Sequence, residues 1–385
     1  MVTRIYLRTL ALWIVAICNA FFSSVVMAQG DGVKMWNICG YCFDFRTGTV
    51  EVSPLTGINR KNYPVFWYVD SEGTLRLVFS NGSVYNGEGI LLDGGENIIS
   101  ENHQTSVRFV PVPSKNLVYS FLDSKYLIID LDKNEIVSEH QFDIGWNDVN
   151  YMLTVCHANG NDIWIIDCSK DSIYKYLLTS DGLSLHEIVP WPDGMANAKS
   201  NINLSRNGTH FVTRYDFNVV YGTFDRSTAN FTITSVHNLE DMVVNKKSNA
   251  RLMECALSWN NECIYLFAIN VPNYIMWQIN ILDGIPDCTS PITIAFEDFI
   301  PGVIPVSRTY YGPDGKTYMV VGSKGFVRAL TYNNDGASTF VDYQVDSFSV
   351  LNSLLPKQTI ALFSNSLPTN PCENIKIQNP VIIKE

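Results

Sequence analysis

The sequence predicts an all-β fold built from repeated antiparallel units. Three observations carry this. Apolar runs rich in Val, Ile, Tyr, Phe, Trp and Thr are short, and Asn, Asp, Gly and Ser clusters separate them, which is the strand-and-turn signature. No long segment has a helical period, and predicted strands follow strands, so a parallel βαβ fold is disfavoured. A strand–turn–strand unit recurs with starts roughly 42 to 54 residues apart, the range of propeller blades. Together these predict a single seven-bladed β-propeller whose N- and C-terminal strands close the last blade.

The units run in order along the chain. The first begins at Pro64–Asp70, turns through Ser71–Gly73, continues over Thr74–Ser80, and uses the hairpin signal Asn81-Gly82 before Ser83–Leu92. The second begins at Ser106–Pro111 and turns at Ser114–Asn116 before Leu117–Leu122 and Tyr126–Asp130. The third, at Tyr151–His157, turns at Asn159-Gly160 before Ile163–Asp167 and Ile173–Thr179. The fourth, at Asn201–Ser205, turns at Asn207-Gly208 before Thr209–Tyr215 and Val219–Asp225. The fifth, at Leu252–Ser258, turns at Asn260-Asn261 before Cys263–Asn270 and Ile275–Leu282. The sixth, at Val306–Tyr311, turns at Pro313–Gly315 before Thr317–Gly322 and Phe326–Tyr332. Two half-units remain. Met35–Phe45 with Thr49–Val52 lacks inner strands, and Val350–Leu355 with Thr359–Ser364 lacks outer ones. Pairing residues 33–52 with 348–366 completes a seventh blade and removes the exposed edges. Two β-sandwiches would also alternate, but the near-regular period and the complementary ends favour the ring.

The N-terminus reads as a signal peptide over residues 1–28. Arg4 and Arg8 precede an apolar stretch from Leu10 to Ile17, and Val26 and Ala28 are small residues before Gln29. Asn19, Ser23 and Ser24 break the run, leaving it short of the roughly 20 residues a spanning helix needs. The expected organisation is therefore signal peptide 1–28, propeller 29–366 and C-terminal tail 367–385, with no transmembrane segment after cleavage. The expected location is extracytoplasmic: periplasm, cell surface or outside. Formal net charge is −11 with no basic stripe, which argues against a nucleic-acid partner. Eight of the nine cysteines follow the signal: Cys39, Cys42, Cys156, Cys168, Cys255, Cys263, Cys288 and Cys372. An even number in an exported chain suggests disulfides, though about a hundred pairings are possible. The pair Cys39 and Cys42 lacks the second ligand pair that a zinc site wants.

Trp36-Asn-Ile-Cys-Gly40-Tyr-Cys-Phe-Asp44-Phe45, followed by Thr47-Gly48, resembles the start of the propeller region in exported Bacteroidetes proteins related to gliding motility and type IX secretion. Glu72-Gly73, Val84-Tyr85-Asn86-Gly87, and Val110-Pro111-Val112-Pro113 leading to Asn116-Leu-Val-Tyr119 fit the same arrangement. The resemblance is concentrated in residues 36–122. It implies a bacterial, exported, non-enzymatic scaffold and supplies no ligand.

No catalytic constellation is evident. The six histidines (His103, His140, His157, His186, His210 and His237) show no metal-motif spacing, and G-x-S-x-G is absent. The sequence calls for no cofactor. Asp130 with Asp132, and Glu297 with Asp298, read as strand-end and turn residues. The sequons at Asn81, Asn203, Asn207 and Asn230 mark turns. Binding candidates are the residues expected on inter-blade loops: Trp146, Trp191, His103, Asn147, Lys246 and Lys247. Trp146 and Trp191 stand in turn-like contexts and are expected to share one rim of the disc, where an indole stacks on a sugar or anchors a protein. The competing reading is packing over a blade edge. Trp164, Trp259 and Trp277 lie in or beside strands and read as core. The functional expectation is a non-catalytic scaffold for a protein or glycan. The alternative is a carbohydrate-active enzyme, a glycoside hydrolase or lyase, on the same fold.

Overall fold

The computed structural model describes residues 35–344. Residues 39–40, 46–49, 55–65, 71–73, 100–106, 142–151, 196–201, 244–250, 295–308 and 322–325 lie outside the description, as do 81, 123–124, 169–171, 194, 271–272, 313 and 334–335. The expected signal peptide, the strands at 348–366 and the tail therefore fall outside the described residues.

Among the described residues the strands form seven antiparallel sheets, each built from consecutive strands. In chain order, sheet I runs from Met35 to Pro54, sheet II from Phe66 to Asn86, and sheet III from Arg108 to Gln141. Sheet IV runs from Met152 to Pro190, sheet V from Asn203 to Asn238, sheet VI from Arg251 to Ile294, and sheet VII from Thr309 to Gln344. The one helical turn among the described residues is Glu240–Val243.

Sheet follows sheet because each buries apolar residues against the next. Phe66, Leu77 and Val84 of sheet II pack with Phe109, Val118 and Leu127 of sheet III. Tyr119 and Phe121 meet Ile163, Ile165 and Leu178 across III and IV. Trp164, Ile166 and Ile173 meet Phe211, Val220 and Phe231 across IV and V. Val212, Val219 and Tyr221 meet Leu257, Ile264 and Trp277 across V and VI. Tyr265 and Phe267 meet Met319 and Leu330 across VI and VII. Sheet I closes the series. Phe43 lies edge-on to Tyr318 and Tyr343 of sheet VII, at 6.3 and 5.8 Å, and Met35–Ile38 lies beside Phe66–Val69 of sheet II.

First strands of neighbouring sheets lie side by side, as with Phe66–Val69 and Arg108–Pro111. That is a β-propeller, with first strands around the axis and last strands at the rim. Burial follows the same gradient. Met152–Cys156 and Ile163–Asp167 are buried at every position, whereas Gly182–Pro190 at the rim is mostly exposed.

The rim edges are blunted. The last strands of sheets III, IV and V each carry a bulge, at Val137, His186 and Thr234. A bulge twists an edge away from a straight partner. A buried lysine ties one rim to the next sheet. The Lys175 side chain is 0% exposed, and its Nζ donates to Glu187 Oε2 at 2.9 Å, to Asn230 Oδ1 at 2.6 Å and to Thr228 O at 3.3 Å. The ammonium tolerates burial because those three acceptors replace its hydration.

Two expectations need correction. Met35–Phe45 is two strands rather than one, because Met35–Ile38 pairs antiparallel with Tyr41–Asp44. The cysteines with described side chains, Cys156, Cys168, Cys255, Cys263 and Cys288, are free thiols rather than halves of disulfides. They act as small apolar residues of the inter-sheet core. Burial pushes the Cys263 thiol up to about 12 and that of Cys288 to about 11, so both stay protonated and unreactive at neutral pH.

Candidate binding site at the turn-bearing end of the ring

One end of the disc carries the turns between first and second strands, and four of them share a plan. Residue four of the turn donates its N–H to the carbonyl of residue one: Gly160 to His157, Gly208 to Ser205, Asn261 to Ser258 and Gly315 to Gly312. That residue has positive φ in each case, from 64° at Asn261 to 80° at Gly315. Gly and Asn occupy the position because they enter the left-handed region at least cost. In two turns a serine completes the lock. Ser205 Oγ accepts the N–H groups of Thr209 and His210, and Ser258 Oγ accepts those of Glu262 and Cys263.

Side chains join these turns across sheets. Arg226 donates to the carbonyls of Cys156, His157 and Asn207, and its own carbonyl accepts the Trp164 indole N–H at 2.8 Å. His157 Nδ1 accepts the Asn159 N–H, which leaves Nε2 to donate to Ser227 O at 3.1 Å. Further round the ring, the Arg206 guanidinium stacks over the Trp259 ring at 4.4 Å. The Trp259 indole in turn donates to Gly312 O at 2.7 Å. The Arg206 guanidinium is buried against the indole, and burial lowers its proton affinity. Trp259 itself is only half-buried. It is an aromatic surface held at both ends, one face under a cation and its N–H on the next turn.

Polar groups of the first strands are committed to neighbours. Arg108 donates to Met152 O in sheet IV. Asn203 Nδ2 donates to Glu254 Oε1 at 2.7 Å and to Cys255 O at 2.6 Å in sheet VI. Among the described residues, no three His, Cys, Asp or Glu side chains gather as a metal would require, and no helix is long and apolar enough to cross a membrane.

Of the residues singled out from sequence, His103, Trp146, Asn147, Lys246 and Lys247 lie outside the described residues. Trp191 is 8% exposed and packs with Met195, Ile202 and Phe231 between sheets IV and V. Its indole is core, so it offers no exposed anchor. The flanking Pro190 and Pro192 resemble a loop context, yet the chain folds the ring inward at that bend. Trp164 and Trp277 are core as expected. Trp259 departs from the core reading, because it follows Ser258 inside the turn and its ring lies against neighbouring turns. The sequence signal for it was Asn260-Asn261, which marks the turn directly after it.

No family model matches the chain, and no curated protein matches it. Solved structures with similar shape include a protein from Lactobacillus plantarum, with TM-score 0.46 and 14% identity over 79% of this chain and 91% of that one. They also include Kluyveromyces lactis Hsv2, with TM-score 0.42 and 10% identity over 74% and 98%. A third is a catalytically inactive virginiamycin B lyase from Staphylococcus aureus, with TM-score 0.41 and 14% identity over 75% and 87%. Likenesses of this strength leave the fold reading to rest on the ring of sheets itself.

Proposed function

We propose that the chain is an exported, non-catalytic, seven-bladed β-propeller that binds a protein or glycan partner at the turn-bearing end of its ring. Residues 1–28 leave as a signal peptide, residues 29–366 form the ring, and the protein works in the periplasm, at the cell surface or outside. The resemblance of residues 36–122 to exported Bacteroidetes propellers supports the export and the scaffold role. The observation that carries the reading is Trp259. It is a half-buried indole on a rigid turn, stacked under Arg206 and hydrogen-bonded to Gly312, at an end of the ring where loops meet solvent.

The test is a glycan array and a pull-down with mature residues 29–385, followed by affinity measurement on W259A and W259F. A contributing aromatic anchor is worth roughly 2 kcal/mol, so W259A is expected to lose about tenfold or more in affinity per folded molecule. W259F, which keeps a ring, is expected to lose less. Equal affinity in all three proteins overturns this site. Release of cleaved or unsaturated sugar from any bound glycan overturns the non-catalytic reading.

A further inference from the structure

Sheet VI is where the blade plan breaks. Sheets III, IV, V and VII end in one continuous outer strand: Glu135–Gln141, Gly182–Pro190, Asn230–Asn238 and Thr339–Gln344. In sheet VI the third strand, Asn273–Leu282, pairs at one end with Ile285–Pro286 and at the other with Ile292–Ile294, and residues 287–291 run between the two pieces. The first piece forms a tight hairpin. Leu282 pairs directly with Ile285 across Asp283-Gly284, whose φ values are 50° and 77°, the mirror-image turn that Asp-Gly favours.

Leu282 is 58% exposed and Ile285 is 52% exposed. Directly paired residues on one face hold their side chains together, so the two make one apolar knob. The base of the hairpin is fixed. Pro286 is buried, Ile281 packs against the core between sheets V and VI, the Ile281 N–H meets Glu262 O at 2.8 Å, and the Asp287 N–H meets Asn280 O at 2.7 Å. The tip stands clear, since a Cβ placed on Gly284 would meet nothing within 4 Å. An exposed carboxylate, Asp283, stands at the tip of the knob, and Glu262, whose backbone carbonyl takes the Ile281 N–H, is exposed on the neighbouring turn. Neither side chain has a hydrogen bond or ion pair among the described residues. The Asp287 carboxylate, by contrast, is taken up by Thr289.

We infer that the Leu282–Ile285 hairpin is a docking knob for a protein partner whose surface presents an apolar pocket bordered by Lys or Arg. This rests on the binding-scaffold reading and adds a second contact to it, next to the Trp259 turn. The apolar pair offers surface to bury, and the rigid tip loses little freedom on docking. The Asp283 carboxylate selects the charge around the pocket. An anionic membrane surface is disfavoured by that carboxylate and by a net charge of −11. A second copy packed symmetrically tip to tip would set Asp283 against Asp283.

The probe is a synthetic peptide of about 12 residues alternating Lys and Leu, with a Glu–Leu counterpart, titrated into methyl-labelled mature protein. The Lys–Leu peptide is expected to shift the Leu282 and Ile285 methyl signals. Its affinity is expected to fall about tenfold in L282S/I285S and about threefold in D283N, while the melting temperature holds. The Glu–Leu peptide is expected not to bind. No binding by either peptide, equal binding by both, or Lys–Leu binding that survives L282S/I285S overturns the knob. Those results leave the Trp259-dependent binding above standing. Two findings overturn the partner class: phosphatidylcholine–phosphatidylglycerol vesicles that lose the protein on L282S/I285S, or a dimer that the same change abolishes.

Discussion

His237 Nε2 is buried and has no hydrogen-bond partner among the described residues. His210 lies flat against Tyr221 at 5.9 Å, with Nδ1 2.9 Å from Thr209 Oγ1. Burial holds both imidazoles below their ordinary value of 6.5. The folded protein therefore favours neutral rings, and the unfolded chain takes up protons first as pH falls past 6.5. Stability from these groups is complete above 6.5 and is lost as pH falls through the depressed folded values. The melting temperature is expected to drop between about pH 7 and about pH 5, and H210Q/H237Q is expected to flatten that slope. An unchanged slope in the double variant would shift the loss to other groups. Carboxylates such as Asp225, held low by hydrogen bonds from Ser227 and Thr228, act only below their ordinary 3.8. At this scale the sequence was least legible. Trp191 and Trp259 both sit beside turn formers, and only their neighbours in other sheets bury the first and leave the second half-open.

Turns are the element that repeats most faithfully. Ser258 Oγ accepts two backbone N–H groups, those of Glu262 and Cys263, both at 3.0 Å. Replacing it with alanine strands the buried Cys263 N–H of the first-to-second strand connection. S258A is expected to cost about 1–2 kcal/mol, and S205A, which plays the same part, a similar amount. Urea midpoints compared with S290A, an exposed control expected to change stability by under about 0.5 kcal/mol, measure this. If S258A and S290A match, the hydroxyl lock is incidental. Turn positions were readable because Asn159-Gly160, Asn207-Gly208 and Asn260-Asn261 supply residues that accept positive φ. The split outer strand of sheet VI was not readable. Ile285–Pro286 and Ile292–Ile294 are too short to show alternation, and Pro286 speaks against a strand.

Closure of the ring is a property of the whole molecule. Phe43 is fully buried against Tyr318 and Tyr343, and Phe45 meets Tyr318 at 5.5 Å, so sheets I and VII adhere through aromatic packing. A ring gains from closure because an end sheet without a neighbour exposes an apolar face. F43A is expected to destabilise by about 3–5 kcal/mol, as for a core phenylalanine, with one cooperative transition by guanidinium denaturation. A loss under about 1 kcal/mol, or an early separate transition, would mean that sheet I is an appendage rather than part of the ring.

The sequence by itself determined the first three strands of most sheets, their turns and the unit period, because those follow from local alternation, β-branched content and the few residues that enter positive φ. Only the tertiary structure decided which turns touch. Arg206 and Trp259 are far apart in the chain and meet because successive sheets bring equivalent positions to one end of the disc. It also decided that the described cysteines pack as thiols, and that Leu282 and Ile285 project together. Those outcomes depend on distances between sheets, and no local pattern in the chain encodes a distance of that kind.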